Sequence, residues 1–206
     1  MKFHKIRIGV DAGSSKSGIV VIEENGIREG YNIDNGEVFS FLITERNKCE
    51  EMNLVIEDVR PYNMRITNGI IETIKFLGEL EYRLKEAGIT FTLIARWEVK
   101  KWVYDKFNQV SVEEIIKNIS RHDAREQKKS QLRGEVYKPK SRSVTFVYVD
   151  DPLIVKVMRE YWSIERKKGF AQKAKYNLKD HAWQALALLT YAMTDYNTAS
   201  DILPVP

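Results

Sequence analysis

Ile6-Arg7-Ile8-Gly9-Val10-Asp11-Ala12-Gly13-Ser14-Ser15-Lys16-Ser17-Gly18-Ile19-Val20-Val21-Ile22 sets two apolar, β-branched runs on either side of a Gly/Ser-rich turn. That is the pattern of two adjacent antiparallel strands. Asp11 falls where the chain leaves the first strand. Gly13 and Gly18 remove side-chain bulk beside it, so a phosphate or a metal ion can approach the backbone closely. The plainer reading of Asp11 is an Asx-turn with the Ser14 region, and this stretch alone leaves both readings open.

Downstream, Gly36 to Thr44 holds Val38, Phe39, Phe41, Leu42 and Ile43 and predicts a third strand of the same meander. Asn53-Leu54-Val55-Ile56-Glu57 reads as a central strand buried on both faces, again ending in an acid. From Ile66 to Ala87 the apolar residues Ile66, Ile70, Ile74, Leu77 and Leu84 recur on one face of a long helix. Gly88 is its terminator. Thr90 to Ile94 predicts a fifth strand, and a helix joining two strands of one sheet implies a parallel crossover. The class is therefore α/β, an antiparallel meander that turns into α/β winding.

The second half is more irregular. Arg96 to Phe107 predicts a helix. From Lys117 to Arg142 there are nine basic residues against three acids, which reads as an inserted basic arm at about 108–149, irregular and mobile when nothing is bound. Val144 to Val149 is expected to close it as a strand. Asp151-Pro152 opens a helix with Asp151 as N-cap, and Leu153, Ile154, Val157, Met158 and Tyr161 supply its buried face. A basic connector with six Lys/Arg, Arg166 to Lys179, then leads into a last helix, Asp180 to Tyr196. That helix is apolar nearly all round and should pack on the sheet.

With 206 residues, 43% of them hydrophobic, the chain can bury a full core as one domain with an insertion. Cys49 is the only cysteine, which rules out an intramolecular disulfide and cysteine-based zinc sites and suits a reducing cytoplasm. No secretory h-region and no run of 18 apolar residues is present, so neither secretion nor membrane spanning is expected. Net charge is +4 but unevenly placed: residues 1–94 carry 12 Lys/Arg against 15 Asp/Glu, and residues 95–206 carry 21 against 14. The second half suits a polyanion.

A meander followed by a crossover puts the ends of the first and fourth strands side by side, and with them Asp11 and Glu57. Two carboxylates this close favour a cation between them. Mg²⁺ or Mn²⁺ suits hard oxygen donors, and a pair of such ions roughly 4 Å apart serves in-line phosphodiester hydrolysis. The head of the last helix offers Asp180, His181 and Gln184 as further ligands. Asn177 and Asp180 also have the spacing of a capping box that would engage the Asp180 carboxylate instead.

Taken together, Ile8-Gly9-Val10-Asp11-x-Gly13-Ser14-x-x-x-Gly18-x-Val20-Val21-Ile22, Ile56-Glu57 and His181-Ala182-Trp183-Gln184-Ala185-Leu186-Ala187 resemble the RuvC branch of the RNase H-like nucleases. Within that branch they resemble the small phage-type Holliday junction resolvases. The resemblance covers the chain outside about Asn108 to Val149. It implies an RNase H-like fold with a five-stranded mixed sheet of order 3-2-1-4-5, a homodimer, and Mg²⁺-dependent paired nicking of branched DNA such as a four-way junction. It places Asp11, Glu57, Asp180 and His181 as catalytic metal ligands, Mn²⁺ being able to replace Mg²⁺, in the cytoplasm of a bacterial or phage-infected cell. Gln184 stands where many members carry a final acid, a departure that leaves two readings: Asp180 substitutes from the neighbouring position, or the second metal site is weaker.

Ala95-Arg96-x-x-Val99-Lys100 is similar to the family stretch whose lysine reaches DNA. Lys100 is therefore an expected phosphate contact. Arg60, Tyr62 and Met64 lie where the family places a side chain against the junction centre, and Tyr62 either stacks on a base or packs at the foot of the long helix. Lys128 and Lys129 of the arm and Lys173 and Lys175 of the connector complete a phosphate-dominated interface that reads branch shape rather than bases. The alternatives are an RNase H acting on hybrids, an actin-like kinase or ATPase fragment, for which Asp11-x-Gly13-Ser14-Ser15 would be the first phosphate loop, and a DNA-binding module without catalysis.

Overall fold

The structure is a computed structural model that describes residues 3–59, 66–106, 112–134, 136, 149, 151–164 and 175–196. Its strands are β1 (Phe3–Asp11), β2 (Lys16–Glu23), β3 (Gly26–Asp34), β4 (Cys49–Asp58) and β5 (Thr92–Ala95). They form one sheet in the order β3-β2-β1-β4-β5. The β1–β2 and β2–β3 pairs are antiparallel and the β1–β4 and β4–β5 pairs parallel, the mixed sheet expected of a meander continued by a crossover. The helices are α1 (Asn35–Lys48), α2 (Asn68–Glu86), α3 (Arg96–Lys106), α4 (Val112–Leu132), α5 (Asp151–Tyr161) and α6 (His181–Tyr191). A short 3-10 turn, Lys175–Asn177, precedes α6, and a π-turn, Ala192–Tyr196, follows it.

Strand alternation sorts the core into two halves, because successive side chains leave a strand on opposite faces. Ile6, Ile8 and Val10 of β1, Ile19 and Val21 of β2, and Leu54 and Ile56 of β4 pack with Val38 and Leu42 of α1 and Leu77, Leu80 and Leu84 of α2. Val20, Ile22, Val55 and Ile94 pack instead with α3, α5 and α6. Every residue of α6 from Ala182 to Thr190 is buried. Its leucines Leu186, Leu188 and Leu189 each stabilise the fold by about 2 kcal/mol through apolar burial. The one hydroxyl among them, Thr190, donates to the Leu186 carbonyl and accepts from Trp162 Nε1 at 2.9 Å.

Close approach of α6 to the sheet depends on two glycines. A Cβ on Gly9 would lie 2.5 Å from the Ala185 carbonyl oxygen, and one on Gly18 would lie 2.2 Å from the His181 carbonyl carbon. No side chain fits at either place, so the first two strands carry glycine there and the helix rests on bare backbone. Asn35 ties down the same end of the sheet: its amide donates to the Gly13 carbonyl, its backbone N–H to the Ser15 carbonyl, and its Oδ1 accepts from Ser17.

Several expectations change. The third strand is Gly26–Asp34, and residues 36–44 lie inside α1. The apolar run from Val38 to Ile43 is helical because Val38, Leu42 and Glu45 share one buried face at i, i+4 and i+7. The true third strand gives little signal in the sequence because an edge strand tolerates charges such as Arg28 and Glu29. In α2 the buried stripe is Thr73, Leu77, Leu80 and Leu84, whereas Ile66 is 57% exposed and Ile74 is also exposed. The Gly88 terminator holds: its φ is +65°, and Gly88 and Ile89 donate to the Lys85 and Leu84 carbonyls.

The arm expected to be irregular carries α4, a helix of 21 residues. No Gly or Pro interrupts Val112–Leu132, and Ile119 packs on the α6 core, so helix propensity outweighs the basic composition. Tyr161 of α5 is exposed rather than buried. The expected strand from Val144 to Val149 lies outside the described residues except for Val149.

Candidate active site

Parity and register bring the two acids together. Val10 pairs with Ile56 in the parallel β1–β4 ladder, so Asp11 and Glu57 are the next residues on adjacent strands. Both point to the α6 side, in step with Gly9 and Val55. Asp11 is 2% exposed and Glu57 4%. The Asp11 carboxylate is engaged by His181 Nδ1 at 2.6 Å, which replaces the Asx-turn reading. His181 arrives there as the first residue of α6, seated over Gly18.

A third partner comes from the end of β5. Ala95 closes that strand opposite Asp58, so Arg96 follows immediately beside the acids. Glu98 Oε2 accepts from the Ala95 backbone N–H at 2.8 Å and fixes the entry into α3. The Arg96 guanidinium lies 3.7 Å from Asp11 Oδ1 and 3.5 Å from Glu57 Oε1, and its other nitrogen is 2.6 Å from Asp151 Oδ1 at the head of α5.

These contacts split the two carboxyls. Burial pushes Glu57 well above the ordinary range, and the neighbouring Asp11 charge pushes it further. Burial also opposes ionisation of Asp11, but hydrogen bonds from His181 and Glu57 and the Arg96 charge outweigh it and hold this carboxyl low. The bond to Asp11 raises His181, against partial desolvation. Burial works against the Arg96 charge too, but Glu57, Asp11 and Asp151 keep it protonated. Glu57 is thus the member of the pair whose ionisation is opposed, and Asp11 the member held as a carboxylate.

Among the described residues no three His, Cys, Asp or Glu side chains are assembled as a ready-made metal shell. The donor chemistry nonetheless fits a hard divalent cation. Two buried carboxyls on neighbouring strands, Glu57 with its ionisation opposed by burial and by the Asp11 charge, offer oxygen ligands to an ion that keeps several waters.

Beside the acids runs a groove of about 940 Å³ whose lining includes Arg96, Asp151, Lys156, Arg159, Asp180, His181, Trp183 and Gln184. Asp180 stands exposed at its rim with φ +40° and makes no capping bond; Asn177 donates instead to the Gly30 carbonyl, so the capping box does not form. Lys100 is half-buried on α3, one turn beyond Arg96. Lys128 and Lys129 are exposed on α4, Lys129 bonded to Glu126 at 2.7 Å. Arg60, Tyr62, Met64 and Lys173 lie outside the described residues, as does the side chain of Lys175.

Two residues of the site are absent from the sequence-based expectation. Arg96 has a signal that could have found it, as the first residue after the fifth strand, where parallel order puts it next to Glu57. Asp151 reads in the sequence only as a helix cap, and nothing in the linear pattern ties it to Arg96.

The architecture has known counterparts. Thermus thermophilus RuvC in complex with a Holliday junction substrate aligns over 93% of this chain and 97% of that one, with a TM-score of 0.50 and 14% identity. The fold is RuvC-like. A further T. thermophilus RuvC structure covers 91% of this chain and 95% of its own, with a TM-score of 0.48 and 14% identity. No protein-family model and no curated protein sequence matches the chain. Among the described residues no helix is long and apolar enough to cross a membrane.

Proposed function

We propose that this chain is a divalent-metal-dependent endonuclease that hydrolyses phosphodiester bonds in branched DNA, resolving four-way junctions by paired nicks. The observation that carries the reading is the convergence of Asp11, Glu57 and His181, with His181 also lining the groove beside the two buried acids. They come from two neighbouring strand ends and the head of the helix packed across them. The RuvC-like fold supports it, since the structural neighbour of similar extent was captured on a Holliday junction.

Asp11 and Glu57 would hold Mg²⁺ or Mn²⁺, with His181 and Asp180 at the edge of the same site. Such an ion supplies an activated water and stabilises the leaving oxygen. His181, seated on Asp11, orients that carboxylate and holds a proton at Nδ1 beside it. Basic residues of α3 and α4, Lys100, Lys128 and Lys129, with Arg60, Tyr62, Lys173 and Lys175 alongside, bind the DNA backbone and the branch point. In this reading residues 1–206 form one cytoplasmic nuclease domain with the basic segment at 108–149 inserted. It acts as a homodimer, for which the exposed Ile71 and Ile74 of α2, with Ile66 just before the helix, offer apolar surface.

The test is a cleavage panel of four-way junctions, forks, linear duplexes and RNA–DNA hybrids with Mg²⁺ and Mn²⁺. Symmetric nicks on the junction are expected, and Asp11→Asn should abolish them while junction binding persists. Cleavage confined to hybrids would replace this reading with the RNase H one, and equal loss of binding and cleavage in Asp11→Asn would remove the metal role of Asp11.

A further inference from the structure

Arg96 stands closest to Asp151, not to the two buried acids. A guanidinium–carboxylate bond is strong at about 2.7–2.9 Å. The Arg96–Asp151 contact, 2.6 Å, is at least that close, and the contacts to Asp11 and Glu57, 3.7 and 3.5 Å, are not. Asp11 and Glu57 are the more deeply buried acids, where a charge is worth most, yet the arginine leans away from them. Something has to hold it there, and the acid at the first turn of α5 is placed to do so.

We propose that Asp151 is a positioning residue that retains Arg96 at the rim of the carboxylate pair and so keeps the space between Asp11 and Glu57 open to a divalent cation. The inference rests on the metal-dependent reading above and extends it to a residue that touches neither acid. Two positive charges cannot share the pair without repulsion. With Asp151 present, an entering cation completes the transfer of Arg96 to its outer partner. Without it, Arg96 settles on Asp11 and Glu57 as the internal counter-ion, and the cation must displace it. Asp151 is 60% exposed at its side chain, so its own removal costs the fold little.

The experiment is calorimetric titration of MnCl₂ into the full chain near neutral pH, with thermal unfolding recorded for each variant. Asp151→Asn is expected to weaken Mn²⁺ binding about tenfold, the scale of one charge-assisted bond. Asp151→Glu is expected to restore it. In an Arg96→Gln background the Asp151→Asn change should have no further effect, because there is no arginine left to hold back.

Two results overturn the proposal: Asp151→Asn binding Mn²⁺ as well as the wild type does, or the same tenfold loss persisting in the Arg96→Gln background, which would make Asp151 a ligand or a general field effect. A second measurement does not depend on Arg96→Gln folding. The arginine side-chain Nε NMR signal of Arg96 is expected to move on adding Mg²⁺ to the wild type and to be already displaced in metal-free Asp151→Asn. An identical signal in both metal-free proteins also overturns it. A folded wild type that takes up no Mn²⁺ overturns the nuclease reading and this inference with it, a result separable from the others because it needs no variant.

Discussion

Gly18→Ala probes the junction between fold and site at a single carbon atom. An alanine Cβ at this position would lie 2.2 Å from the His181 carbonyl carbon, 2.4 Å from its oxygen and 2.5 Å from the Ala182 nitrogen. Ordinary contacts begin near 3.4 Å, and all three atoms are backbone, so no rotamer relieves the clash. The head of α6 must retreat from β2 by about 1 Å, an overpacking cost of about 3 kcal/mol. For a chain of this size that corresponds to a fall in Tm of about 6–12 °C.

The same retreat stretches the 2.6 Å bond between His181 and Asp11, and a misplacement of this size lowers turnover by about 100-fold. Urea unfolding and junction cleavage at a temperature where the variant remains folded measure the two effects separately. Gly78→Ala is the control. Gly78 lies within α2 with nothing within 4 Å of a built Cβ, so alanine there should stabilise the protein by about 0.5–1 kcal/mol. A Gly18→Ala protein with wild-type stability and wild-type cleavage would refute the account of how α6 is seated.

Three further outcomes are expected from the same geometry. Burial opposes ionisation of Glu45, but bonds from Arg28 and Lys48 outweigh it and hold the carboxyl below its ordinary value. A depressed folded-state pKa contributes stability above the unfolded value and loses it as pH falls through the folded one. Glu45→Gln should therefore cost about 2 kcal/mol near neutral pH, with the gap to wild type closing as pH falls through the depressed folded-state value; a gap that persists in acid excludes the ion pairs as its source. His181 should titrate by NMR above the ordinary histidine value in metal-free protein, and Asp11→Asn should lower its midpoint, because the bond to Asp11 is the first cause of the shift. A midpoint indifferent to that change would contradict the pairing. Charge reversal at Lys128 and Lys129 is expected to weaken junction binding and to reduce the salt slope by about 0.9 for each phosphate that α4 no longer neutralises, and fluorescence anisotropy across a salt series checks it.

As a linear string, the chain already determines its strand ends and their acids. Apolar, β-branched runs place Asp11 at the close of one strand and Glu57 near the close of another, whereas α1, the helix that carries the chain across to set β4 beside β1, reads as a strand in the sequence. The wholly apolar Ala182–Leu189 run, broken only by Gln184, likewise identifies α6 as the helix laid on the sheet, with His181 at its head. These are local patterns, carried by period and by residue type, so they are legible without coordinates.

Tertiary packing decided the remainder. Whether Val38 to Ile43 is strand or helix depends on which face α1 buries against the sheet, and Ile66 and Ile74 stay exposed although they keep helical spacing with Ile70. The bridge from Arg96 to Asp151 joins residues 55 positions apart through a charge balance that exists only once Asp11 and Glu57 are buried side by side. Burial converts two ordinary carboxyls into an electrostatic demand, and a demand of that kind belongs to the folded volume and has no counterpart in the order of the residues.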